Sequence, residues 1–311
     1  MPRTYVWWSE SGGPGKTTNA MNSAAAIGRD GYDVLAIDLD PQRGALTHYA
    51  GYGHLDHDSD DQQVSPTVMD VFFGDVTPDE IIVETPYFDL MPGHESLANF
   101  DSKLDEAGFY GLDRFGVIRD VIEDLADEYD YFLVDCNAAL GELVDNAVFA
   151  ARNVMVPLEL SPKGRASQKG LEATIEAMSS GFEGVGVDIA IAGVVPSRVG
   201  NAKIFEEYRE EFEEDEIPVS PFSIPEHSLL RYTWDNHMDI FQFLDSEETR
   251  DLRKYEEHVP LAFKVIGRWM TGDYSYSKAV EKWDAVKDQR MGDAEPEKLL
   301  DEDSSATEVD A

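Results

Sequence analysis

One lysine and two threonines behind a glycine-rich turn define the chemistry open to this chain. The stretch is Ser9-Glu10-Ser11-Gly12-Gly13-Pro14-Gly15-Lys16-Thr17-Thr18. Backbone N–H groups of such a turn, and of the helix start behind it, converge on an anion. Glycine lets the main chain approach closely and take positive φ where the turn needs it. Ser11, Gly12, Gly13, Pro14, Gly15, Lys16, Thr17 and Thr18 therefore read as a polyphosphate cradle. Lys16 would hold the β- and γ-phosphates and the Thr17 hydroxyl would ligate Mg²⁺. The strict pattern G-x-x-x-x-G-K-[ST] wants glycine at position 10, where this chain has Glu10, so the loop is a variant. Three aspartates complete the set. Asp38 and Asp40 follow the apolar run Val34–Ile37, and Asp135 follows Tyr131–Val134. A nucleoside triphosphatase needs one carboxylate on the magnesium side and a group that orients the attacking water. Asp135 fits the first role and Asp40 the second. The roles can be exchanged between Asp38 and Asp40, and spacing does not decide between them.

These residues must be positioned by strands and helices in alternation. Thr4–Trp8 reads as a buried strand and 19–29 as a helix closing near Gly31. Val34–Ile37, Tyr131–Val134, Val154–Leu158 and 187–195 are short apolar runs of the kind found in parallel strands buried on both faces. Thr67–Phe73, 115–128, 143–152, 168–178, 202–212 and 258–270 read as helices, while 80–83, 88–92 and 222–225 read as short extended pieces. Residues 54–63 read as a polar surface loop. The pattern predicts an α/β fold: a doubly wound, mostly parallel sheet flanked by helices, of the P-loop nucleoside triphosphatase type. Ligands of such sheets gather at the carboxyl ends of the strands, where all three aspartates stand. Residues 1–273 are expected to form the domain and 274–311 an acidic, partly disordered tail. Trp7 and Trp8 are expected to pack in the core or at its rim. Tyr232, Trp234, Phe241 and Phe243 are expected to cover either a sheet edge or a nucleotide base, with both options open.

With those motifs in place, the chain resembles the ParA/MinD family of deviant Walker-type ATPases, on its ParA-like branch. The resemblance is carried by residues 11–18, by Val34 to Gln42 (VLAIDLDPQ), by 68–74 (VMDVFFG), by 129–136 (YDYFLVDC) and by 193–199 (GVVPSRV). The Asp40-Pro41-Gln42 segment points to ParA rather than MinD. The resemblance implies an ATPase that uses ATP and Mg²⁺ and forms a homodimer on ATP; with no run of about 18 apolar residues and no signal-peptide pattern, a cytoplasmic location, with nucleoid association, is expected. Such a switch partitions or positions plasmid DNA, chromosomal DNA or another cargo with a ParB-like or cargo-linked adaptor, and binds DNA without sequence preference. In the family pattern Asp40 orients water, Asp38 lies on the magnesium side, Asp135 is the Walker B carboxylate, and Pro225 lies near the adenine. Turnover in the family is slow and stimulated by partners. A P-loop metabolic enzyme of the amidoligase or synthetase kind, and a nucleotide-gated binding protein with little turnover, are the alternative readings.

Two departures stand out. The family's signature lysine, which reaches the partner subunit's phosphates, is replaced here by Ser11. A subgroup of ParA-like ATPases that position carboxysomes also has serine there, and in it a lysine from the C-terminal half is thought to substitute. Lys163 is the candidate in this chain, a catalytic residue in that reading, with Arg165 second. The other departure is Asn137-Ala138-Ala139, in place of a proline-rich turn after Asp135.

Composition narrows the partners. The 311 residues carry 63 Asp and Glu against 25 Lys and Arg, a net charge of −38. Acidity spread along the whole chain suggests a halophile's protein, soluble where salt screens self-repulsion. Basic residues gather late, at Arg198, Lys203, Arg231, Arg250, Arg253, Lys254, Lys264 and Arg268. They either form a DNA-facing patch in a dimer or pair with neighbouring carboxylates such as Glu247, Glu248, Asp251 and Glu256. No membrane partner is expected, because the acidic end at 300–303 would be repelled by anionic lipid. A single cysteine, Cys136, excludes an intramolecular disulfide and reads as a packed residue.

Overall fold

A computed structural model of the chain describes residues 3–10, 12–13, 15–59, 63–159, 161–182, 187–197, 218–220, 223–224, 227–253, 256–275 and 277–282, with side chains left undescribed at 162–168 and 182. The expected helix at 202–212, and Ser11, Pro14, Arg198, Lys203, Pro225 and Lys254, lie outside the described residues, as do the side chains of Lys163 and Arg165.

The strands are β1 (Arg3–Trp7), β2 (Val34–Leu39), β3 (Val83–Glu84), β4 (Asp89–Met91), β5 (Tyr131–Cys136), β6 (Asn153–Glu159) and β7 (Ala190–Ser197). They form one sheet in the order β3-β4-β2-β5-β1-β6-β7. Every pairing is parallel except β3 with β4, which is antiparallel at the edge. The helices are α1 (Lys16–Arg29), α2 (Leu46–Tyr49), α3 (Val68–Phe72), α4 (Phe100–Ala107), α5 (Val117–Asp124), α6 (Glu142–Ala151), α7 (Pro162–Phe182), α8 (Ser228–Asp235), α9 (Ile240–Asp245) and α10 (His258–Thr271). The mostly parallel α/β architecture read from the sequence is the one observed.

Two cores cover the two faces, and the period of two along each strand divides the residues between them. Trp8, Val6, Leu35, Ile37, Phe132 and Val134 face the core built with α3 to α7. Trp7, Tyr5, Val34, Ala36, Tyr131 and Leu133 face the core built with α1 and α8 to α10. Both tryptophans are fully buried, one on each face. By the same alternation Asp38 and Asp135 lie on the α1 face.

Several expectations shift. Strands β2 and β5 run through Asp38 and Asp135 rather than stopping before them, so both carboxylates are ladder residues. Helix α7 is longer at both ends than 168–178. The loop at 54–63 is not all surface: Asp56 is buried, and its main-chain carbonyl accepts from the Glu95 N–H at 2.8 Å. Phe241 and Phe243 belong to the second core, Trp234 stacks on Tyr49 with centroids 4.5 Å apart, and Tyr232 is partly exposed. The packed chain also runs past the expected boundary at 273, because Tyr274 and Ala279 are buried in that second core. Burial of two apolar side chains holds this stretch on the domain.

Candidate nucleotide site

The glycine-rich turn leads straight into α1. Gly15 caps the helix at φ 97°, a left-handed conformation that disfavours any other residue, and Gly13 sits at φ 89°. No described side chain caps the start of α1, so the positive end of the helix faces the turn. Asn19 braces the turn from behind: its Nδ2 donates to the Gly15 carbonyl at 2.8 Å and to Ser197 Oγ, at the end of β7, at 3.3 Å. Gly12 and Gly13 are exposed, and a side chain at Gly12 would meet nothing within 4 Å. The cradle is therefore open on its outer side. A cavity of about 420 Å³, beside Arg29 and Phe243, lies at the opposite end of α1.

Lys16 opens α1 and is buried, 8% exposed. Burial pulls its ammonium pKa down, and the charges of Asp135 and Asp40 pull it back up. Asp135 is register partner to Trp7 on one side and to Asp38 on the other. This places two fully buried carboxylates on adjacent strands. Asp38 is satisfied: it accepts the Thr47 N–H at 2.7 Å, the Thr47 hydroxyl at 2.6 Å and the Asp40 N–H at 3.0 Å. Burial raises its pKa to about 6 against those hydrogen bonds. Asp135 is not satisfied. Neither oxygen closes a hydrogen bond of good geometry, although the Thr17 hydroxyl stands close enough to draw its pKa down. Burial first, and the Asp38 charge second, hold that pKa well above the usual carboxylate range. Asp40 is half-buried; its Oδ1 accepts the Gln42 N–H at 3.0 Å, burial raises its pKa and Lys16 lowers it.

A buried carboxylate with both oxygens unpaired needs an explanation. Beside a buried lysine and a threonine hydroxyl, a magnesium-bound polyphosphate supplies one. Asp135, Thr17 and Asp38 offer oxygen ligands that fit hard-cation chemistry, and the Lys16 ammonium beside them matches the polyphosphate. The structure brings Lys16, Thr17, Asp38, Asp40 and Asp135 to one end of the sheet, as expected.

Sequence reasoning missed Thr47, which ties Asp38 to Gly93: the Gly93 N–H donates to Thr47 Oγ1 at 2.8 Å. A side chain at Gly93 would press on Asp38 Cγ at 2.8 Å. No spacing in the sequence marks Thr47; a glycine just past β4, at the carboxyl edge, was the available signal. Glu10 was read as an absence of glycine, yet its Oε1 accepts the Thr174 hydroxyl of α7 at 2.7 Å. That bond turns the carboxylate toward α7. Cys136 is buried in the first core, as expected of a packed residue.

Among the described late basic residues, two pair with carboxylates and one is buried. Arg250 donates twice at 2.6 Å to the carboxylate of Glu256, and Arg268 donates to Asp30 at 2.9 Å and to the Tyr274 oxygen at 2.9 Å. Lys264 is buried. Arg231 is exposed. No helix among the described residues is long and apolar enough to cross a membrane.

Residues 4–183 match the family model described as an AAA domain. The chain is 29% identical over 189 residues to the chromosome partitioning protein ParA of Myxococcus xanthus, a match that spans 60% of this chain and 62% of that one. The structure of apo McdA from Cyanothece superposes with a TM-score of 0.64 at 25% identity, covering 84% of this chain and 99% of that chain. The cobyrinic acid a,c-diamide synthase of Mycobacterium smegmatis, with ADP and magnesium bound, shares the fold at 23% identity and a TM-score of 0.65, covering 88% of this chain and 97% of that chain.

Proposed function

From the premise that the chain belongs to this AAA-domain family, among its ParA-like partition ATPases, we propose that it binds and hydrolyses Mg-ATP as a homodimer switch that partitions or positions DNA or another cargo. The observation that carries the reading is Asp135, fully buried with neither oxygen well bonded, one strand from Asp38 and beside Lys16 and Thr17. Mg²⁺ would be held by Thr17, Asp38 and Asp135, and when bound it neutralises charge on the transferring phosphate. The chain's own groups do the remainder. Backbone N–H groups of Gly12, Gly13, Gly15 and Lys16 bind and orient the polyphosphate, and Lys16, being buried, interacts with it more strongly than an exposed lysine would. Asp40 is fixed through its Gln42 N–H bond and orients the attacking water. The partition reading is favoured over a synthetase because the Myxococcus relative is a chromosome partitioning protein; the synthase shares the fold. Ser11 leaves charge stabilisation from the partner subunit to another group, for which Lys163 stands first and Arg165 second. Pro225 is assigned to the adenine side. The finer points, an adaptor partner, slow partner-stimulated turnover, DNA contact and a cytoplasmic location, belong to this proposal.

The test is ATP hydrolysis and ATP-dependent dimerisation at molar KCl, with and without DNA. Lys16→Ala should lose ATP binding, and Asp40→Ala should bind ATP but turn over at least about a hundredfold more slowly. Asp135→Asn should raise the melting temperature without ligand, by removing an uncompensated buried charge, and should lose the stabilisation given by Mg-ATP. Lys163→Ala at wild-type rate would remove that residue from catalysis. A wild-type protein that binds ATP and never hydrolyses it is a nucleotide-gated binder, and one that ignores ATP altogether defeats the proposal.

A further inference from the structure

A second group of ligand-type side chains stands apart from the phosphate loop. Asp58, His94 and Glu95 each bring one ligand atom to within 4.8 Å of the others. They come from two segments, the loop after α2 and the turn after β4. His94 is 5% exposed, and its Nε2 makes no hydrogen bond. Asp58 Oδ1 stands 3.6 Å from that nitrogen. This is too long for a hydrogen bond. Two ligands of one tetrahedral cation, each bonded at about 2.1 Å, lie about 3.4 Å apart. The observed separation is thus closer to that of two ligands sharing an ion.

The surrounding bonds hold the three groups in place. Asp58 Oδ1 accepts the Val64 N–H at 2.8 Å, and Glu95 Oε1 accepts the Asp58 N–H at 3.2 Å. Ser96 Oγ, 2.9 Å from His94 Nδ1, can accept the Nδ1–H, which would leave the Nε2 lone pair for a metal. The Ser96 N–H, 3.1 Å from the same nitrogen, favours the opposite tautomer, so a cation competes with that cap. The Asp58 and Glu95 side chains are 42% and 39% exposed and open to solvent. One imidazole, two carboxylates and water make a donor set suited to Zn²⁺.

We propose that Asp58, His94 and Glu95 form a divalent cation site of the zinc type, distinct from the magnesium position at Asp135. It has a route to the reaction. Glu95 Oε2 also pairs with Arg43 at 3.2 Å, three residues past Asp40, and the Gly44 N–H reaches Asp56 Oδ2 at 3.4 Å. A cation on Glu95 competes with Arg43 and biases the segment that follows Asp40. Binding itself does not depend on the nucleotide reading and should be seen without ATP.

The experiment uses the untagged full chain, stripped with chelator and free of nucleotide, in molar KCl. Zn²⁺ is titrated calorimetrically and Co²⁺ by visible absorption. The expected result is one Zn²⁺ per chain and a tetrahedral Co²⁺ band, both weakened at least about tenfold in His94→Gln and Asp58→Asn and unchanged in Asp135→Asn. Should circular dichroism show that His94→Gln does not fold, Asp58→Asn and Glu95→Gln, at exposed positions, decide the matter. Absence of stoichiometric Zn²⁺ binding by the wild type, or equal binding by every variant, overturns the proposal.

Discussion

Lys16, Asp38 and Asp135 are three buried charges whose cost is offset only in part within the chain itself. Asp38 has three donors, while Asp135 has none of good geometry and a second carboxylate beside it. An unpaired buried charge is expensive, and such conflicts between local stability and the environment cluster at functional sites. Asp239 is a useful contrast. It caps α9, with Oδ1 accepting the Phe241 and Gln242 N–H groups at 2.7 and 2.9 Å, and burial raises its pKa to about 6. A raised folded pKa contributes stability below the unfolded value near 4, and that contribution is lost as pH rises through 6. Asp239→Asn keeps the capping oxygen and removes the titration. Denaturant melts of both proteins should show the wild type losing on the order of 2 kcal/mol relative to the variant between pH 4 and 6, with no further change above. A difference that is flat with pH, or that grows in the wild type's favour on raising pH, contradicts this assignment.

At the scale of elements, α1 joins the site to the rest of the molecule. Its first turn opens the phosphate loop and its last third packs without room to spare. A methyl on Gly28 would overlap the Tyr87 carbonyl at 1.7 Å, and one on Gly267 of α10 would meet Ala26 Cβ at 3.1 Å. Gly28→Ala should therefore destabilise by about 2 kcal/mol or more, because the obstacle is backbone. Gly181→Ala, in α7 with nothing within 4 Å, should stabilise by about 0.5 kcal/mol, since alanine has the higher helix propensity. Thermal melts that order the two the other way would show that α1 does not pack as described. Helix α7 meets the loop at Thr174–Glu10, so the residue that breaks the strict loop pattern is also the one that links the two elements.

For the whole molecule the deciding quantity is the charge of −38. The Debye length falls from about 10 Å at 0.1 M salt to about 3 Å at 1 M, so repulsion between surface carboxylates is largely screened at high salt. The melting temperature should climb steadily between 0.1 and 2 M KCl. A temperature that is flat or falling over that range removes the salt-adapted reading. The same screening weakens phosphate contacts steeply. Arg250 and Arg268 are already paired to carboxylates and offer little to a phosphate backbone.

What the chain's order of residues determined was the class of fold and the chemistry of the loop. Apolar runs of strand length, a glycine turn and Gly15-Lys16-Thr17 are local signals, because each depends on backbone conformation and short spacing. Thr67–Phe73 was legible to the residue, with Thr67 and Phe73 as the caps of α3. The helices α4, α8 and α9 were not, since short helices are held by contacts with distant elements rather than by a long apolar period. Only the tertiary structure decided that Asp38 and Asp135 are neighbours: their register across β2 and β5 joins residues 97 positions apart. It also decided that Thr47 satisfies one carboxylate and leaves the other without a well-formed hydrogen bond, that Glu10 turns to Thr174, and that Arg250 and Arg268 pair with Glu256 and Asp30. Such pairings depend on which strands lie side by side, and strand order is set by the packing of the whole sheet.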